Sequence, residues 1–146
     1  PLEAVIIGEG PLKKNLENYV KLNNLNTKVS FKNFTENPYS YLKQSDLFVL
    51  SSRYEGLPNV LLESIALQKI SISSSCPTGP KEILLNGKGG FLFKVGNYEE
   101  LSKKILFCYK YKSKCNKIIK KSYLNLKRFD YEKNLNKYFK LVNNFL

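Results

Sequence analysis

Short apolar runs alternate with amphipathic stretches over the first two thirds of the chain, and amphipathic stretches alone follow. Runs rich in Val, Ile, Leu and Phe at residues 3–7, 28–32, 46–51, 69–74 and 90–95 read as strands. Their near-continuous apolarity predicts parallel strands covered on both faces. Helices are expected between them at 11–24, 37–44, 58–68 and 80–86. In the first of these, Leu12, Leu16, Tyr19 and Val20 recur at helical spacing. Pro11 and Pro58 suit first-turn positions. This alternation implies an α/β fold with a Rossmann-like, doubly wound parallel sheet.

From Asn97 onward the pattern is helical only. Helices read at 97–112, 114–127 and 131–145, with Asn97 and Glu100 as an N-cap pairing and Asp130 as the cap of the last. The chain therefore divides into a core over 1–96 and a C-terminal helical segment of the same domain over 97–146. Charge is segregated in the same way. Residues 101–146 hold 13 Lys/Arg and two acids, net +11, whereas residues 1–100 hold 11 and 10, net +1. Three readings of the basic segment stand. It is a solvated helical surface, a contact for an anionic membrane or a lipid-pyrophosphate acceptor, or a nucleic-acid surface whose tyrosines interleave with lysines. No nucleic-acid-binding motif is present, so no nucleic-acid partner is expected.

Composition narrows the chemistry. At 146 residues and 42% hydrophobic, the chain fits one small domain. No apolar run approaches the roughly 20 residues of a membrane span, and no signal peptide is visible. Pro1 is not an initiator, so the chain reads as a piece of a longer protein. Cys76, Cys108 and Cys115 form no C-x-x-C pair and suggest a reducing compartment. The expected location is cytoplasmic, with peripheral contact at the cytoplasmic face of the inner membrane. Cys108 and Cys115, seven apart, are expected on one helix face as core residues. With no histidine, Cys–His nucleophile pairs and His-rich metal sites are excluded within this piece. Asp46 and Asp130 are the only aspartates, so no D-x-D pair brings a divalent cation to a diphosphate.

The most informative stretch is 51–63, Ser-Ser-Arg-Tyr-Glu-Gly-Leu-Pro-Asn-Val-Leu-Leu-Glu. A strand runs into a Gly/Pro turn, and the turn opens a helix that reads as apolar on nearly every side. Glu55 and Glu63 interrupt it, and a charge is costly to bury unpaired. Glu63 is therefore expected to have a specific hydrogen-bonding task. Amides of such a turn at a helix N-terminus suit a phosphate, and two flanking carboxylates suit sugar hydroxyls. Arg53 either contacts phosphate or sugar or pairs with Glu55 or Glu82. Gly8-x-Gly10 is either a tight strand-to-helix turn or a wall of the ligand cleft. Cys76-Pro-Thr-Gly-Pro80, with Thr78 and Gly79, leaves a strand at the sheet's C-terminal edge, where ligands of open α/β sheets bind. It otherwise reads as a rigid loop.

Residues 51–63 resemble the E-x7-E signature of the retaining glycosyltransferases of the GT-B architecture, family 4. Glu55 and Glu63 stand at the two Glu positions, with Gly56 after the first. Three further blocks fall in the family's order: Val5-Ile6-Ile7-Gly8-Glu9-Gly10-Pro11, Ser45-Asp46-Leu47-Phe48-Val49-Leu50, and Gly79-Pro80-Lys81-Glu82-Ile83-Leu84 with Gly87 and Gly90. The resemblance covers roughly residues 2–110. It implies the donor-binding C-terminal domain of such an enzyme, with its first strand and its N-terminal, acceptor-binding GT-B domain missing from the piece. Glu63 would then accept from ribose hydroxyls, and Glu55 would act as the catalytic carboxylate that orients the transferred sugar. Arg53, Gly56, Leu57, Pro58, Asn59, Gly8, Gly10, Asn33, Thr78 and Gly79 would complete the donor site. No metal and no cofactor are implied beyond the nucleotide-sugar donor. The variants present are most similar to bacterial hexosyl- and N-acetylhexosaminyltransferases of O-antigen, capsule and lipid-linked oligosaccharide assembly. A UDP-sugar donor and a glycan or polyprenyl-linked acceptor are therefore expected. Two alternatives remain at this point: a basic, non-catalytic module binding membrane or nucleic acid, and a GT-B sugar-nucleotide epimerase.

Overall fold

A computed structural model describes residues 2–145 and divides into two compact units, 1–40 and 41–146. The first unit holds β1 (Ala4–Ile7), α1 (Lys13–Leu22) and β2 (Val29–Lys32). The two strands pair in parallel, from Ala4↔Val29 to Ile7↔Lys32. The expected burial on both faces does not hold here. Val5 and Ile6 are about half exposed, as is Leu16, and Leu12 and Tyr19 are more so. Two strands and one helix can enclose little, and Val20 alone among the α1 positions named above is buried.

α2 (Tyr39–Gln44) crosses the division between the units. Then follow β3 (Leu47–Leu50), α3 (Asn59–Ala66), β4 (Ile70–Ser74), α4 (Pro80–Ile83), a 3-10 turn (Leu85–Gly87), β5 (Phe91–Phe93), α5 (Tyr98–Lys110), α6 (Lys112–Asn125), a second 3-10 turn (Leu126–Phe129) and α7 (Tyr131–Asn143). The strands form a parallel sheet in the order β3-β4-β5. β4 is central, and all five of its residues are buried.

Strand alternation sends side chains to two separate cores. One gathers Ile70, Ile72 and Phe93 with Cys108 and Cys115, against Leu101, Ile105 and Ile119. The other gathers Leu61, Ile65, Ile83 and Leu84, against Phe48, Leu50 and Leu92. Helices thus cover both faces of this sheet, as the strand–helix alternation implies. Fully burying side chains of this size is worth about 1.5–3 kcal/mol each. On the face opposite Ile70 and Ile72, Ser71 pairs its hydroxyl with that of Ser64 in α3 at 2.9 Å. Ser64 also reaches the Leu61 carbonyl at 2.8 Å. Small hydroxyls therefore let α3 sit close to β4 without leaving a buried polar atom unsatisfied.

The expected caps form, with one change of partner. Asn97 Oδ1 accepts from the Glu100 amide at 2.9 Å, and Asp130 Oδ1 from the Lys133 amide at 2.9 Å. The Glu100 carboxylate does not return to the Asn97 amide; it accepts from Lys94 N instead, also at 2.9 Å. No helix among the described residues is long and apolar enough to cross a membrane.

Cys108 and Cys115 do not share a helix face. The chain breaks at Tyr111, so Cys108 lies in α5 and Cys115 in α6, both buried in the same core. Burial pushes the Cys108 thiol from its ordinary 9.0 up to about 12, and the neighbouring Cys115 adds to the shift. In the unfolded chain the thiol ionises at its ordinary value. Stability from this source is therefore whole below about pH 9 and is lost as pH rises toward 12. Thermal melts across that window should fall more steeply for the wild type than for Cys108→Ala. Parallel curves would remove the thiol from the alkaline instability.

Candidate functional site

β3 ends at Leu50, and a loop from Ser51 to Pro58 carries the chain to α3. Pro58 occupies the N-cap with extended backbone angles and is buried. Its carbonyl takes the first helical bonds, from Leu61 at 3.0 Å and Leu62 at 3.4 Å. The amides of Asn59 and Val60, ahead of these bonds, have no intrahelical partner, so the helix start presents donors where the loop ends. Arg53, Gly56, Leu57 and Asn59 are exposed, and Glu55 is half-buried.

Glu63 is placed differently from what an all-apolar helix implied. Leu61, Ser64 and Ile65 form the buried face of α3. Glu63 lies on the other side, one turn after exposed Asn59, beside exposed Ala66, and is only half-buried. The cost of a buried charge therefore does not explain it. Among the described residues the ion pairs are Lys104–Glu100 and Lys112–Asp46. Arg53 consequently pairs with neither Glu55 nor Glu82. The carboxylates of Glu55 and Glu63 accept no side-chain or backbone hydrogen bond among those residues, which leaves both lone-pair sets open to hydroxyl donors.

The 74–80 segment closes on the loop. Ser74 Oγ donates to the Ser52 carbonyl at 2.5 Å, and Thr78 Oγ1 donates to the Glu55 carbonyl. Gly79 has φ 79°, and a Cβ placed there would strike the Gly56 oxygen and stand 2.7 Å from Pro58 Cδ. Glu55, Gly56, Pro58, Thr78 and Gly79 are thus brought together. Leu57 and Asn59 flank them in the chain.

Gly8, Gly10 and Asn33 belong to the first unit. Gly8 takes φ 140°, a conformation that glycine adopts freely, and its amide bonds the Lys32 carbonyl at 3.1 Å. Gly10 has no such angle and open space around it. Asn33 Oδ1 accepts from Lys13 Nζ at 2.5 Å, tying the exits of β1 and β2. Nothing in the residue pattern pointed to Lys13. Nor did anything point to Ser74, one of three serines in β4. A cleft of about 390 Å³ lined by Glu82, Lys88, Lys121 and Arg128 contains none of the signature residues. No three His, Cys, Asp or Glu side chains among the described residues converge as metal ligands.

Likeness to known proteins decides the family. The model for glycosyl transferases group 1 matches residues 1–125. The chain belongs to that family. An uncharacterized glycosyltransferase of Methanocaldococcus jannaschii is 42% identical over 82 residues, 56% of this chain and 20% of its own length. The N-acetylgalactosamine-N,N'-diacetylbacillosaminyl-diphospho-undecaprenol 4-alpha-N-acetylgalactosaminyltransferase of Campylobacter jejuni is 36% identical over 96 residues, 66% of this chain and 26% of its own. The crystal structure of a mutant of S. aureus TarM in complex with fondaparinux, alpha-GlcNAc-glycerol and UDP superposes with a TM-score of 0.87 at 25% identity. It covers 97% of this chain and 29% of TarM. The chain therefore spans about a fifth to under a third of the length of these relatives. Its α/β class with parallel strands, read from the sequence, is the one found, and its structural neighbours are GT-B glycosyltransferases.

The two glycines of different kind give a direct check on the site's framework. Gly79→Ala should destabilise the fold by roughly 1–3 kcal/mol, through its positive φ and the crowding on Gly56. Gly10→Ala should cost about 0.5 kcal/mol or less. Urea melts yielding equal losses for both would contradict the packing described.

Proposed function

We propose that this chain is the nucleotide-sugar-binding part of a retaining glycosyltransferase. The donor is a UDP-hexose or UDP-N-acetylhexosamine, and the acceptor is a polyprenyl-linked or cell-surface glycan. The observation that carries the reading is the pair of half-buried glutamates without partners among the described residues, Glu55 in the loop and Glu63 in α3, on either side of the helix start. Support for the ligands comes from the relatives: the Campylobacter enzyme is named for a diphospho-undecaprenol substrate, and the TarM complex holds UDP and alpha-GlcNAc-glycerol.

In this reading Glu63 accepts from the ribose hydroxyls and Glu55 from hydroxyls of the transferred sugar. The diphosphate lies against the amides of Gly56, Leu57 and Asn59; Pro58 has none to offer. The bond between the anomeric carbon and the diphosphate oxygen breaks, and the acceptor oxygen bonds to the same face. The acceptor's proton passes to the leaving phosphate oxygen. No protein base and no metal ion takes part, and stabilising the leaving diphosphate is the protein's main electrostatic task.

A second reading concerns the segment that carries net +11. α7 has no buried residue and exposes Tyr138, Phe139 and Leu141. A basic helix that exposes such large apolar side chains fits an anionic membrane bearing the acceptor. Vesicle binding should then require anionic lipid and fade with salt; indifference to lipid charge would leave the segment a solvated surface.

The donor reading is tested by dividing the two glutamates. Glu63→Gln should weaken UDP binding roughly 10- to 150-fold, the worth of a charge-assisted hydrogen bond of about 1.5–3 kcal/mol. Glu55→Ala in the full-length protein should depress transfer strongly and leave UDP affinity nearly intact. Unchanged affinity in the first would sink the ribose role, and equal damage to both activities in the second would mean the roles are wrongly divided. Release of a free epimer without transfer would make the protein an epimerase.

A further inference from the structure

We infer that Ser74 and Thr78 are positioning residues for Glu55, acting through a clasp in which the β4–α4 connection holds the β3–α3 loop along its length. The inference rests on the transferase reading for what Glu55 does, and on the geometry for how it is held.

Ser74 comes first because its hydroxyl is buried and has a backbone partner outside its own strand. It is fully buried at the end of a central strand, a place suited to a branched apolar side chain. The ladder between β3 and β4 ends with Leu50 opposite Ser73. Two residues beyond it, the Ser52 carbonyl receives its bond from the Ser74 side chain. A side chain thus extends the pairing past the point where the backbones part.

Thr78 acts on the catalytic residue itself. A threonine hydroxyl has one proton to donate, and here it goes to the carbonyl of Glu55. That proton is then not free for a donor sugar or phosphate, so as a hydrogen-bond donor Thr78 serves the loop. Gly79 completes the clasp by sheer proximity. Its missing side chain is the space occupied by the Gly56 carbonyl and the Pro58 ring.

The three holds fall in the same order in both segments: 74 on 52, 78 on 55, and 79 on 56 and 58. A connection of this length without secondary structure would otherwise be among the more mobile parts of the chain. Held in this way, Glu55 has its backbone fixed before any ligand arrives, and orientation of the sugar needs no loop closure. Glu63 lies further along α3, which is seated by Leu61, Ser64 and Ile65 and not by the hydroxyls of Ser74 and Thr78. Loss of the clasp therefore touches sugar orientation and spares nucleoside binding.

The test uses Thr78→Val, which keeps shape and removes the hydroxyl, Thr78→Ser, which restores it, and Ser74→Ala, in the full-length protein with Glu55→Ala alongside. Thr78→Val and Ser74→Ala should each lower kcat for transfer by about tenfold, the weight of one hydrogen bond, with UDP affinity by calorimetry within about twofold. Amide exchange over residues 53–59 should quicken in both, and Thr78→Ser should bring kcat and exchange back toward wild type. Should Ser74→Ala fail to fold, the exposed Thr78 pair still decides the matter. Unaltered exchange in Thr78→Val overturns the clasp while leaving the transferase reading intact. Faster exchange with unaltered kcat overturns its functional role. Normal transfer by Glu55→Ala overturns the role assigned to Glu55, and the positioning role falls with it.

Discussion

How closely two neighbouring crossovers of a parallel sheet can approach decides most of what this chain does. In β4 the residues facing α3 are small, and the hydroxyls of Ser71 and Ser64 satisfy each other at 2.9 Å. A larger apolar side chain at either position would push α3 outward. The start of that helix, and the loop before it, would move too. The same economy of volume recurs at Gly79, where even a methyl group would strike the Gly56 carbonyl. The packing of the core and the shape of the loop are therefore one constraint, and buried polar groups are tolerated because each has a partner.

Parts of this were legible in the residues. The loop-to-helix stretch from Arg53 to Glu63 identified itself through its Gly/Pro turn and two carboxylates, because local chemistry of that kind survives in sequence. Asn97 and Asp130 were equally readable, since a cap acts within three residues of itself. Interactions across the chain were not. The pattern placed a helix break near residue 113, and the chain does break there, at Tyr111; only the reading of Cys108 and Cys115 onto one helix face failed, because a seven-residue spacing does not say that both ends lie in the same helix. Apolarity in β1 predicted cover on both faces, yet Val5 and Ile6 stay half exposed, because periodicity reports what a strand could bury and not what is there to bury it. Thr78 read as a ligand contact by its place at the sheet edge. Its hydroxyl also serves the loop 23 residues earlier, a pairing that no local pattern encodes.

The distribution of charge bears on how a nucleotide sugar would be held. Residues 1–100, which contain both signature glutamates, carry a net charge of only +1. The basic segment carries the rest, and its Leu126 and Phe129 pack against the core face of α3. A diphosphate nearing the helix start meets two carboxylates against a single cation of that loop, the exposed Arg53. Its binding depends chiefly on directed groups, the unpaired amides at the head of α3, each effective only at hydrogen-bond range. The carboxylates repel a bare diphosphate and reward the hydroxyls of a ribose or hexose. An arrangement of this kind sacrifices affinity for phosphate as such and gains discrimination for a phosphate that carries sugars on both sides. On the proposed reading that exchange suits a donor site, since a product nucleotide must leave after each transfer. On the same reading, fixing the backbone of Glu55 has a use: where attraction is weak, placement has to supply the selectivity.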